Sequence, residues 1–274
     1  NSDILRSAGA ATPTNWSDFI NTARSLTVKD QNSKIKTAGA AMGTFDNVTH
    51  APDLISLLLV QNGVDLSNIS QNKEKAVDAL NFYTAFTLLE GNVWDQTQDV
   101  AILAFSKGNL AMYFGYIRDF FTIKELNASL SFQIVPVPQL PEQSLTVASY
   151  WAEGASVRSK NQKEALLFLR FLSQKDTQDK LYNEQVKQRG LGLVPGRLDL
   201  ADKISSDPIL SAFVNQAKSA TSTFFVDGTY DAGLNSQMNN ILRDAINSIL
   251  GGTLSTDSAV DTLSQGVSQS LLQY

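Results

Sequence analysis

Apolar residues recur at helical spacing in several stretches of the chain. Trp16, Phe19, Ile20, Ala23 and Leu26 lie three and four residues apart, the stripe of a helix resting on a core, with Thr14 placed to cap it. Residues 53–61 (DLISLLLVQ) and 73–89, the latter with Ala76, Val77, Leu80, Tyr83 and Phe86 on one side, predict two more helices, and Asn62-Gly63 ends the first of them. Extended segments alternate with these. Residues 38–43 form a small-residue strand or strand end, followed by a polar loop through Asp46, Asn47 and His50. The aromatic run at 110–116 (LAMYFGY) predicts a buried strand, residues 131–138 (SFQIVPVP) a second one stopped by its prolines, and residues 147–157 a third.

Residues 140–145 read as a linker. Beyond the third extended stretch, Asn161 and Glu164 have capping-box spacing ahead of Ala165, Leu166, Phe168, Leu169, Phe171 and Leu172. A helix that apolar is expected to be covered on most sides. A turn around Gly190, Gly192, Pro195 and Gly196 precedes a last helical part, in which Asp207-Pro208 opens one helix and residues 235–250 form another, closed by Gly251-Gly252. Strands interleaved with helices predict the α/β class, and no internal period points to a solenoid.

Composition narrows the function classes. With 43% hydrophobic and 18% charged residues in 274, the chain has a globular balance and enough length for one large domain or two lobes. Its net charge is −5 and its basic residues are scattered, which argues against a nucleic-acid partner. Cysteine is absent, removing disulfides, thiol nucleophiles and thiolate metal sites. No apolar run is long enough to span a bilayer, and residues 1–30 lack the basic and apolar regions of an export signal.

Candidate chemistry is sparse. His50 is the one histidine, so a multi-histidine zinc site is excluded and a serine triad would have to use that residue, yet no G-x-S-x-G elbow accompanies it. Neither phosphate-binding glycine motif is present. No metal and no cofactor are expected. Carboxylates are plentiful, so a pair facing each other across a cleft, as a glycoside hydrolase requires, stays open.

Five passages in order resemble a known family. The opening NSDILRSAGAATPTNWSDFINTARSLT, with Asn1, Asp3, Ala8, Gly9, Pro13, Trp16, Phe19 and Leu26 in place, is similar to the "N-x-D … AG … P-x-T-W" passage of the family 1 extracellular solute-binding proteins. LLLVQNGV at 57–64 and AFSKGNLAMYFG at 104–115 follow, then VASYWAEGASVRSKNQKEALLFLRFL at 147–172 and the helix pair around 241–263. Two departures stand out. The family's "N-x-D" passage usually follows a long amino-terminal segment, whereas here it opens the chain. A glycine pair before the third strand is replaced by Ala148-Ser149, followed by Tyr150-Trp151.

The resemblance implies a periplasmic binding protein-like class II fold, two α/β lobes joined by crossing strands. Residues 1–146 and 201–274 would form a carboxy-terminal-type lobe, and 147–200 a returning segment of the amino-terminal-type lobe whose remainder lies outside the chain. It implies capture of an extracellular solute, foremost a mono- or oligosaccharide, in an interlobe cleft, and delivery to the membrane permease of an ABC importer, without catalysis. The protein would be monomeric and extracytoplasmic, periplasmic or anchored at the cell surface as a lipoprotein. A cleft-type glycoside hydrolase and a binder of polyols or polyol phosphates are the alternatives, with Arg118 the residue for an anionic group.

A sugar site needs flat aromatic faces and planar polar groups. By position in the matched passages the candidates are Asp46, Asn47 and His50 in the first loop, Trp94, Tyr116 and Arg118 around the aromatic strand, Tyr150 and Trp151 where the chain enters the other lobe, and Tyr230 and Asn235 before the final helix pair. Tyr150 and Trp151, as neighbours on a strand, would face opposite ways, so one of them at most should meet ligand. Trp16 is expected to be structural.

Overall fold

The computed structural model describes residues 1–88, 90–141, 144–226 and 233–273. In chain order the helices are α1 (Ser2–Ser7), α2 (Trp16–Leu26), α3 (Ala51–Gln61), α4 (Lys73–Leu88), α5 (Ala101–Ser106), α6 (Ile117–Leu126), α7 (Gln162–Leu172), α8 (Lys175–Arg189), α9 (Ala201–Ile204), α10 (Ser211–Ala217), α11 (Leu234–Leu250) and α12 (Thr256–Leu271). The strands are β1 (Val28–Lys29), β2 (Ile35–Ala40), β3 (Leu110–Met112), β4 (Thr146–Val147) and β5 (Ala220–Thr221). The chain divides into two compact units, one of residues 1–133, 137–149 and 219–274, the other of 134–136 and 150–218.

In the first unit β2 is the central strand, antiparallel to β1 and parallel to β3 with Ala38 opposite Leu110 and Ala40 opposite Met112. Its alanines and glycine let a helix lie close. A Cβ on Gly39 would sit 1.8 Å from the Ala23 carbonyl oxygen, so α2 and β2 touch backbone to backbone. Thr27 ties the same junction by donating to Ala23 O and accepting from Gly39 N–H. Helix α2 buries Trp16, Phe19, Ala23 and Leu26, as its stripe predicts. Its cap is Asn15, not Thr14: the Asn15 side chain accepts from the Asp18 N–H at 2.9 Å.

Helix α3 is apolar on nearly every side because it is enclosed on nearly every side. Leu54, Ile55, Leu57, Leu58 and Leu59 are all buried, each contributing about 1.5–3 kcal/mol. Helices α4 and α11 pack against it, and α12 packs on both of them, through Leu80, Tyr83, Phe86, Leu242, Ile246, Val260 and Leu263. A second short pair, β4 parallel to β5, matches Thr146 with Ala220 and Val147 with Thr221.

Three expected strands shrink. The ladder holds residues 110–112 of the aromatic run, residues 131–138 carry no assigned strand, and of 147–157 only Val147 is paired. Pro136 and Pro138 lack the N–H groups a ladder needs, and the aromatic run leaves its ladder after Met112, with Tyr116 at its end already the N-cap of α6.

The second unit is built from α7 to α10. Residues 201–218 belong to it, whereas the resemblance implies that they join residues 1–146 in the carboxy-terminal-type lobe. Helix α8 went unpredicted, since KDTQDKLYNEQVKQR has no apolar stripe. Helix α7 forms where its pattern predicts but buries no residue; Leu166, Leu167, Phe168 and Phe171 are all more than half exposed, and α8 packs against it.

Candidate ligand-binding site

A buried polar cluster lies where the N-termini of α3 and α6 meet in the first unit. His50 is the N-cap of α3, with Pro52 in the first turn and Asp53 three residues on. Tyr116 is the N-cap of α6, with Asp119 three residues on. Both carboxylates sit at the positive ends of helices, where negative charge is favoured. His50, Asp53 and Asp119 are each only 6% exposed.

One oxygen of Asp119 accepts three hydrogen bonds. His50 Nε2 lies 2.7 Å from Oδ2, the Tyr113 hydroxyl 2.9 Å and the Tyr116 backbone N–H 3.0 Å. Burial by itself would raise the Asp119 carboxyl. The bonds from His50, Tyr116 and Tyr113 outweigh it and hold the group below its ordinary range. A carboxylate can only accept, so Nε2 of His50 carries the hydrogen in that contact, while the enclosed Nδ1 has no hydrogen-bond partner among the described residues. Tyr113 is pushed in the opposite direction, first by burial and then by the Asp119 charge beside it.

Tyr116 is held at several points. Its hydroxyl donates to Asp53 Oδ1, its ring stands edge-on to the His50 ring at 5.0 Å, and the Arg118 guanidinium lies 5.4 Å from its centroid. The ring stays half-buried and Arg118 is exposed. The cluster therefore offers an aromatic side chain, fixed in orientation, beside an exposed guanidinium.

The loop leading to His50 is set from below. The Asn47 amide donates to the Asp95 and Gln98 carbonyls at 2.9 and 3.1 Å, and its oxygen accepts from Thr44 and from the Trp94 indole. Trp94 is fully buried and also donates to Thr44, so both faces of its ring are covered by protein. The expectation of a stacking platform at Trp94 is corrected: it supports the loop. Tyr83, also fully buried, donates to the Thr44 carbonyl at 2.6 Å.

The remaining candidates scatter. Asp46 is exposed on the same loop. Asn235 is buried in the first turn of α11, where its amide donates to the Phe224 and Val226 carbonyls at 2.9 and 2.7 Å and pins the preceding segment. Tyr150 and Trp151 belong to the second unit, outside any strand, 75% and 87% exposed, so the alternation argument for them lapses. Tyr230 lies outside the described residues. Trp16 is structural as expected, its indole donating to Gln61 and its ring stacked on Phe114. Sequence reasoning missed Tyr113, Asp53 and Asp119. The signal for the two acids was present: each stands three residues after an N-cap.

The family profile described as bacterial extracellular solute-binding protein matches residues 1–212. The chain belongs to this family. No curated protein matches its sequence. Among solved structures, this solute-binding protein is similar to an ABC transporter solute-binding protein of Thermotoga lettingae bound with α-D-tagatose, at 18% identity over 99% of this chain and 69% of that one, with a TM-score of 0.74. A cyclo/maltodextrin-binding protein complexed with maltotetraose matches at 15% identity over 97% of this chain and 66% of its own, TM-score 0.71. The sugar-binding protein MalE of Xanthomonas citri matches at 17% over 99% and 67%, TM-score 0.71. The chain thus spans about two thirds of the length of these proteins. The likeness establishes the α/β binding-protein fold expected from the sequence. Among the described residues no helix is long and apolar enough to cross a membrane, and no group of three or more potential metal ligands occurs.

Proposed function

We propose that this solute-binding protein captures a neutral mono- or oligosaccharide outside the cytoplasm and hands it to the permease of an ABC importer, without breaking bonds in it. The observation that supports this reading most is the family match over residues 1–212, joined by a fold shared along nearly the whole chain with proteins described as holding tagatose and maltotetraose. Tyr116 supplies the apolar ring face such a ligand needs, and Arg118 beside it, with Asp46 on the neighbouring loop, supplies hydroxyl partners. Tyr150 and Trp151 are the corresponding candidates on the second unit. We assign the first unit to the carboxy-terminal-type lobe and the second, residues 134–136 and 150–218, to the amino-terminal-type lobe.

Isothermal titration with tagatose, maltotriose, maltotetraose and mannobiose tests the reading. Saturable binding of at least one of them is expected, at micromolar Kd, about −8 kcal/mol, with no new reducing ends after prolonged incubation. Release of a shortened sugar, or affinity confined to a non-carbohydrate solute, would refute it.

A further inference from the structure

We propose that α3 and α6 are locked together at their N-termini by two reciprocal side-chain hydrogen bonds, and that Asp53 and Asp119 are positioning residues that preset the Tyr116 ring rather than ligand contacts. The inference rests on the carbohydrate-binding reading above and deepens it. In an ordinary capping box, donor and acceptor belong to one helix. Here the side-chain donors are exchanged. His50, the N-cap of α3, gives its Nε2 hydrogen to Asp119 of α6 at 2.7 Å, and Tyr116, the N-cap of α6, gives its hydroxyl hydrogen to Asp53 of α3.

Each helix contributes one donor and one carboxylate, so neither terminus can shift without opening a buried, charge-assisted bond. Tyr116 is fixed at both ends of its own length, the backbone N–H by Asp119 and the phenol by Asp53, with His50 against its ring. Holding the ring before ligand arrives removes an ordering cost from binding. The acids themselves are poorly placed to meet ligand: both are 6% exposed, and Oδ2 of Asp119 already accepts three hydrogen bonds.

Two measurements test the lock. Tyr116→Phe removes the donor of the Tyr116–Asp53 bond and Asp53→Asn takes the charge from its acceptor, both while keeping size; each is expected to weaken maltotriose binding, up to about tenfold, with the double variant no weaker than the poorer single one. Tyr116→Ala, which also removes the ring, should bind worse than any of these. Unchanged affinity in Asp53→Asn, or effects that multiply in the double variant, would overturn the proposal. Independently of any sugar, Asp119→Asn should speed amide hydrogen exchange at residues 51–54 and 117–120 together. Loosening confined to α6 would overturn the lock even where binding is seen. A wild-type protein that takes up no carbohydrate sinks the functional reading, and the exchange experiment then decides the lock alone.

Discussion

Three donors converge on a single oxygen of Asp119, and the energetics of that residue follow from this convergence. Replacing Asp119 by Asn removes the charge and turns part of the acceptor into a donor, leaving buried partners unpaired, at a cost of about 2–3 kcal/mol at neutral pH. The native carboxyl is held below its ordinary value of 3.8, so its stabilisation is complete above that value and is lost as pH falls through the lower native one. Urea unfolding at pH 7 and in strong acid should therefore show the gap between wild type and Asp119→Asn closing in acid. Gly39 makes a second prediction. With the Ala23 carbonyl 1.8 Å from any added Cβ, Gly39→Ala must separate α2 from β2, and a loss of about 3 kcal/mol or more, or failure to fold, is expected in thermal melts. Single residues were unevenly legible. Capping spacing marks Asp53 and Asp119, but nothing along the chain distinguishes the buried, bonded Trp94 from an exposed platform, because that depends on contacts with Thr44 and Asn47 some fifty positions away.

Elements were most readable where one face is apolar and the other polar. Helices α2, α4 and α11 follow their stripes, whereas α8 lacks a stripe and short strands β4 and β5 owe their existence to pairing over a long sequence separation. Continuous apolarity is ambiguous by comparison. It marks α3, enclosed by neighbours, and equally α7, which presents Leu167 and Phe168 to solvent. Between elements, Gln61 at the end of α3 is a junction. Its amide donates to the Pro138 and Leu145 carbonyls at 3.1 and 2.8 Å while its oxygen accepts from Trp16 at 2.6 Å. Gln61→Ala strands all three groups, and a destabilisation of about 2–4 kcal/mol is expected by denaturant titration, with exchange rising first around residues 137–145.

At the scale of the molecule, the two units have unequal cores. The first gathers nearly all the large buried side chains, from Trp94 and Tyr83 to Phe225, while the second relies on a few, among them Leu191, Ile204 and Leu210. Native-state hydrogen exchange should accordingly release amides of α7 and α8 well before those of α4 and α11; equal protection would contradict the assigned packing. The boundary of the units near residue 218 carries no signal along the chain, since the short helices α9 and α10 have little pattern of their own. One imidazole serves the whole chain, and it stands where α3 meets α6. With histidine-selective labelling, its two carbon-bound ring protons therefore report on a single residue. Any solute or distant substitution that disturbs this junction will announce itself there.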